Sequence, residues 1–130
     1  MNEILIPMSP GELLDKITIL QIKSERISDP AKVSNVKTEL EMLEQVWQTA
    51  VEFDDTISAL TAELKKINEA LWEIEDDVRD EERNKRFGER FIELARAVYV
   101  TNDQRSDVKK RVNLHLNSTI VEEKSYQDYQ

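Results

Sequence analysis

Apolar residues recur along this chain at intervals of three and four, the period of α-helices that each bury one face. They divide into four segments. SPGE at 9–12 predicts a helix start, with Ser9 as N-cap, Pro10 in the first turn and Glu12 closing a capping box. Helix one is expected from about Pro10 to Ser28, stopped by DP at 29–30 because a residue before proline is pushed out of the α region. Helix two follows from about Ala31 to Glu52, with Val36, Leu40, Leu43 and Trp47 on one stripe, and Phe53 to Thr56 reads as a turn. The third segment is the most regular. Ile57, Leu60, Leu64, Ile67, Leu71, Ile74 and Val78 form a heptad seam that extends to about Lys85. A helix of roughly 30 residues is ~45 Å long and outruns helix one. Its overhanging seam is expected to find cover in a second copy of the chain, making a homodimer. Gly88 is the candidate helix C-cap before FIELARAVYV opens the fourth segment. The fold class is therefore all-α, an antiparallel bundle of about four helices. Residues 1–117 form the bundle domain and 118–130 a C-terminal tail. Ile120, Val121 and Tyr126 are too apolar for a purely solubilising tail, so it is expected to pack on the bundle or a partner chain.

Two helices depart from a single apolar stripe. In helix one Leu13, Ile17, Leu20 and Ile27 share a face, yet Ile19 and Ile22 point elsewhere, on a second face that reads Asp15, Ile19, Ile22, Arg26. In helix four Phe91, Ala95 and Val98 set a stripe that Val112 and Leu116 resume, and the intervening positions are Asn102, Arg105 and Lys109. Either Thr101 or Asn102 caps a new helix, or the helix continues and polar groups stand where a core should be. The phase agreement across the gap favours continuity.

In an up-down bundle turning near residues 86–87, neighbouring helices pair at constant residue sums. This sets Asp76 opposite Arg96, Glu69 opposite Arg105 and Glu63 opposite Lys109, and brings Lys109 near the level of Asp15 and Arg26 near that of Tyr99. The candidate constellation is thus Asp15, Arg26, Tyr99, Asn102, Arg105 and Lys109. One reading is a partly buried ion-pair network in which Asp15 and Glu69 satisfy the cations. The other is an anion pocket, since Arg forks suit carboxylates and phosphates.

Composition narrows the remaining chemistry. With 39% hydrophobic and 35% charged residues, two Gly and three Pro, the chain has the makeup of long amphipathic helices with little turn material. A formal net charge of -9 opposes binding to a phosphate backbone, so no nucleic-acid partner is expected. No apolar run of membrane-spanning length exists, and MNEILIPMSPGE lacks the basic and apolar regions of a signal peptide, so a cytoplasmic protein without membrane insertion is expected. There is no Cys, which fits a reducing compartment and leaves no thiolate ligands. The acidic run WEIEDDVRDEER at 72–83 reads as a salt-bridged face, with Glu75, Arg79 and Glu82 in a ladder. Glu41, Glu44, Glu73 and Asp76 repeat the ExxE and ExxD spacing of the Mg²⁺-binding all-α nucleotide pyrophosphohydrolases. In a hairpin turning near residue 54, however, Glu44 lies ~15 Å from the turn and Glu73 nearly twice as far. No metal or cofactor is expected. His115 is the only histidine and stands beside a helix C-terminus, where a dipole contact suits it better than catalysis.

The stretches IPMSPGELLDKITILQIKSERI, LWEIEDDVR, FIELARAVYVTNDQRSDVKKRVN and VEEKSY resemble a family of short bacterial proteins of unknown function. That resemblance implies an association with glycosyltransferases and surface-polysaccharide assembly and attaches no activity; the long seam of helix three and the two apolar faces of helix one predict an interaction or accessory module with a protein partner. LLDKITILQIKSER also resembles the opening helix of the chorismate mutase fold. This likeness implies an alternative, an enzyme or binder of an anionic metabolite using Arg26, Arg105 and Lys109.

Overall fold

The computed structural model describes residues 2–130. It consists of four helices, α1 (Pro10–Arg26), α2 (Pro30–Ala50), α3 (Asp55–Arg83) and α4 (Glu89–His115). Their starts are set locally. Ser9 Oγ accepts the Glu12 amide at 3.3 Å, Asp29 accepts that of Ala31, and Asp54 accepts that of Ile57 at 2.7 Å. Pro10 and Pro30 occupy first-turn positions, where a missing N–H is harmless. The expected capping box at Ser9 is only half made, because the Glu12 carboxylate turns to Lys109 at 2.6 Å instead.

Both long helices end in the same motif. After α3, Arg86 N–H donates to the Glu81 carbonyl and Lys85 N–H to that of Glu82, with Lys85 at φ 56°. After α4, Ser118 donates to Asn113 and Asn117 to Leu114, with Asn117 at φ 54°. Gly88 does not cap α3 as the sequence suggested; it is the N-cap of α4 at φ -85°. α4 passes through Thr101 and Asn102 without a break.

The core is built by three helices. Leu14 of α1, Ile57, Leu60 and Leu64 of α3, and Val108 and Val112 of α4 form the buried cluster, with Trp47, Ile67 and Leu116 packed at its edge. Burying one such aliphatic side chain is worth about 1.5–3 kcal/mol. α2 departs from the expected four-helix packing: it lies along α1 alone and has no buried residue. Its stripe of Val36, Leu40, Leu43 and Trp47 is only half-buried, and Met42 and Val46 are exposed.

α1 packs on both helices of the α3–α4 hairpin. Its start abuts α4, where Gly11 N–H donates to Asn113 Oδ1, and its end reaches α3, where Arg26 meets Glu69 and Glu73 and Glu25 meets Lys65. The 29 residues of α3 span ~43 Å and the 17 of α1 only ~25 Å at 1.5 Å per residue. Burial on α3 accordingly stops at Leu71, and the seam residues Ile74 and Val78 are half-buried. Along the hairpin Arg90 pairs with Asp77, Arg111 with Glu63 and His115 with Asp54, so numbers fall on α3 as they rise on α4. The level of this register matches the expected one. The partners differ, since Glu63 takes Arg111 rather than Lys109 and Glu69 takes Arg26 rather than Arg105.

Residues 118–130 form no helix or strand and return along α4. Glu122 reaches Lys109, Glu123 reaches Lys110, and Tyr129 donates to Asp103 at 2.8 Å while its ring meets that of Tyr99 edge-on. Val121 is half-buried, whereas Tyr126, expected to pack, is 81% exposed.

Candidate functional site

Where α1 crosses the hairpin, the two apolar faces of α1 separate into different environments. Leu14 enters the core, and Asp15, one residue on, is buried against α4 and α3 at 1% exposure. A carboxylate taken this far from water must be matched by donors. Arg105 supplies two, Nε to Asp15 Oδ1 at 2.8 Å and a terminal nitrogen to Oδ2 at 2.5 Å. Asn68 Nδ2 adds a third to Oδ1 at 3.0 Å and also donates to Thr18 Oγ1, whose own hydroxyl donates back to the Asp15 carbonyl. Asn102 Oδ1 accepts from Arg105 at 3.3 Å, and Lys109 Nζ lies 4.0 Å from Asp15 Oδ2. Pairing with Asp15 raises the Arg105 pKa further above its ordinary range, so the guanidinium is permanently charged.

Four of the six sequence candidates therefore meet: Asp15, Asn102, Arg105 and Lys109. The other two are placed elsewhere. Arg26 lies over Glu69 and Glu73 at the far end of α1. Tyr99 is about 120° round α4 from Arg105 at 100° per residue, where it helps line a broad groove of about 1170 Å³ beneath the tail. Within the cluster the expected pairing shifts by one turn, because Arg105 rather than Lys109 grips Asp15, and Lys109 is held chiefly by Glu12.

Every cation in the constellation already holds a carboxylate of this chain. Arg105 has Asp15, Lys109 has Glu12 and Glu122, and Arg26 has Glu69 and Glu73. No fully enclosed side-chain nitrogen or oxygen among the described residues lacks a partner. The arrangement is a polar knot, each of its cations paired, that ties α1 to α3 and α4.

Gly11, Thr18, Asn68 and Asn113 belong to the same construction and were not singled out by the sequence. Asn68 stands four residues after Leu64 and three before Leu71, so helical spacing alone could have marked it as inward-facing. Gly11 permits the backbone approach that seats α1 on α4: a Cβ there would lie 2.4 Å from the Lys109 carbonyl oxygen. The carboxylates Glu41 and Glu44 stand on α2 and Glu73 and Asp76 on α3, two helices that do not pack on one another.

No curated protein and no solved structure matches the chain. No helix among the described residues is long and apolar enough to cross a membrane. A model of the family described as a family of unknown function, DUF6165, matches residues 4–129, and the chain belongs to that family.

Proposed function

We propose that this protein is a small helical interaction module that works as a homodimer and recruits or stabilises a partner protein. The observation that carries the reading is the state of α2. A 21-residue amphipathic helix that rests on one other helix is an unfinished layer, since helices normally bury their stripes between neighbours. Met42 and Val46, one turn apart on α2, are 48% and 53% exposed and give the helix a second apolar edge beside its half-buried stripe. A second copy of the chain, meeting α2 across a two-fold axis, would cover both edges at once. The resemblance to bacterial proteins associated with glycosyl transfer and surface-polysaccharide assembly suggests a cytoplasmic accessory role in such a pathway. The competing reading, a chorismate-mutase-like enzyme or anion binder, asks Arg26, Arg105 and Lys109 to release carboxylates that they already hold.

Light scattering coupled to size exclusion tests the proposal. The expected result is twice the chain mass at micromolar concentration, falling to the chain mass in Met42→Glu/Val46→Glu with helicity retained. A wild-type monomer at that concentration removes the dimer.

A further inference from the structure

On the other side of the knot from Lys109, a cleft of about 430 Å³ opens between α1, α3 and α4. Its size is that of small-molecule sites in general. The walls are apolar, with Ile22 1% exposed, Leu71 8% exposed and Trp72 half-buried, and Asn68, Asn102 and Arg105 line it where the three helices meet.

Asn68 is the informative residue. It is 5% exposed, and its Nδ2 donates to Asp15 Oδ1 and Thr18 Oγ1, both at 3.0 Å. A carboxylate only accepts, so Asp15 fixes which amide atom faces it. The Asn68 Oδ1 edge is turned away, and no described residue donates to it. Because no fully enclosed side-chain polar atom among the described residues lacks a partner, this oxygen keeps an opening, and the cleft supplies it. Beside it stands a set of free donors. Arg105 Nε and Asn68 Nδ2 reach the same Asp15 oxygen, at 2.8 and 3.0 Å, so the two heads lie next to each other. Arg105 spends two N–H groups on Asp15 and one on Asn102, leaving two of a guanidinium's five. The charges are balanced: Asp15 holds Arg105, Glu75 holds Arg79, and Lys23 and Asp76 at the rim contribute one of each sign.

An acceptor adjacent to donors, with no net charge and apolar walls, complements a neutral group that carries its own donor and acceptor side by side. The geometry points to a binding site for a ring-sized neutral molecule bearing a carboxamide or lactam edge. The ligand's N–H donates to Asn68 Oδ1, its carbonyl accepts from Arg105, and its ring lies on Trp72, Leu71 and Ile22. An organic anion of the same shape is disfavoured, because it has no hydrogen for Asn68 and meets cations that are already neutralised.

Benzamide and benzoate are near-isosteric probes that separate these chemistries, and the chain's two tryptophans, Trp47 and Trp72, supply a site-specific readout. In a ¹⁵N–¹H correlation spectrum of the full chain, benzamide at millimolar concentration is expected to move the Trp72 indole N–H saturably and leave that of Trp47 in place. Benzoate is expected to bind at least about tenfold more weakly, as is benzamide to Trp72→Ala. Ile19→Phe, which fills the cleft from its half-buried α1 wall, gives the same loss without removing a packed ring. Benzoate binding as tightly as benzamide, equal movement of both indoles, or no saturable shift up to the solubility of benzamide each overturns the proposal. The readout is independent of oligomeric state, so it can fail while the dimer stands, or stand while the dimer fails.

Discussion

Arg105→Ala is the most direct test of whether the polar knot holds the fold. It leaves the Asp15 side chain, 2% exposed, without its contacts at 2.8 and 2.5 Å. Asp15 retains only the Asn68 amide at 3.0 Å and Lys109 at 4.0 Å. Breaking a buried ion pair from one side costs about 3–5 kcal/mol, because one charge is stranded. Two features lower the figure here. The Arg105 side chain is 28% exposed, so water can follow it in from the cleft, and Asn68 keeps donating. The expected loss is about 2–3 kcal/mol. With an unfolding entropy near 2.1 cal/mol/K per residue, a chain of 130 residues loses ~4 °C of Tm per kcal/mol, or about 9 °C. Urea unfolding followed by circular dichroism measures it, at one fixed protein concentration so that any self-association cancels. The midpoint should fall with the slope unchanged. Asp15→Leu/Arg105→Met, which removes both charges, should recover most of the loss, since the penalty comes from the unpaired partner. If Arg105→Ala costs about 0.5 kcal/mol or less, Arg105 behaves as a solvated surface residue and the account of the knot is wrong.

Two further outcomes follow from the same architecture. Gly11→Ala sets a Cβ 2.4 Å from the Lys109 carbonyl oxygen and 2.9 Å from Asn113 Oδ1, so α1 must lift from α4; the expected loss is about 1–3 kcal/mol in the same urea experiment, and an unchanged midpoint would show that the close approach does not matter. Asp54, the N-cap of α3, has its carboxyl held below the ordinary 3.8 first by its hydrogen bond with His115 and then by the Ile57 amide. A lowered carboxyl pKa adds stability that is fully present above the unfolded value and lost as pH falls through the folded one. The stability advantage of wild type over Asp54→Asn should therefore hold at about pH 5 and shrink steadily as pH falls below the ordinary carboxylate range, read as the difference in Tm; an advantage independent of pH over that fall would assign the effect to something other than the carboxylate.

The helices were legible because their signals are local. Ser9, Pro10, Pro30 and the seam of α3 act within a few residues of themselves, and they placed all four elements to within about two residues. The continuity of α4 could also be read, from the phase shared by Val98 and Val112. Contacts between helices were less accessible. Periodicity says that α2 carries an apolar stripe and is silent on whether one helix or three will cover it. The seating of α1 on α4 includes the close approach of Gly11 to Lys109, a contact between residues almost a hundred positions apart. Arg26 does reach the level of Tyr99, which the register sets opposite Glu73, but it turns to Glu69 and Glu73 of α3 rather than to α4. The C-cap of α3 was misplaced for a different reason. Glycine is the favoured residue for a left-handed position, yet the two backbone hydrogen bonds of the motif hold Lys85 there, and Gly88 is left to start the next helix.

The seating of α1 on both helices of the hairpin also bears on why the knot and the cleft occur together. The second face of α1 meets the hairpin at Asp15, against Asn68 and Arg105, and again at Arg26, against Glu69 and Glu73, and between these contacts lies a wedge bounded by Ile22, Leu71 and Trp72. A wedge of that kind has a polar problem at its apex, where backbone and side chains lose water before they find apolar cover. Asp15, Thr18, Asn68 and Arg105 answer it with hydrogen bonds that tie α1 to α3 and α4. Asn68 lines the cleft, and its oxygen has no donor among the described residues. Gly11, which lets the start of α1 approach α4 closely, thus stands one turn from the buried Asp15 on which both the knot and the polar end of the cleft depend.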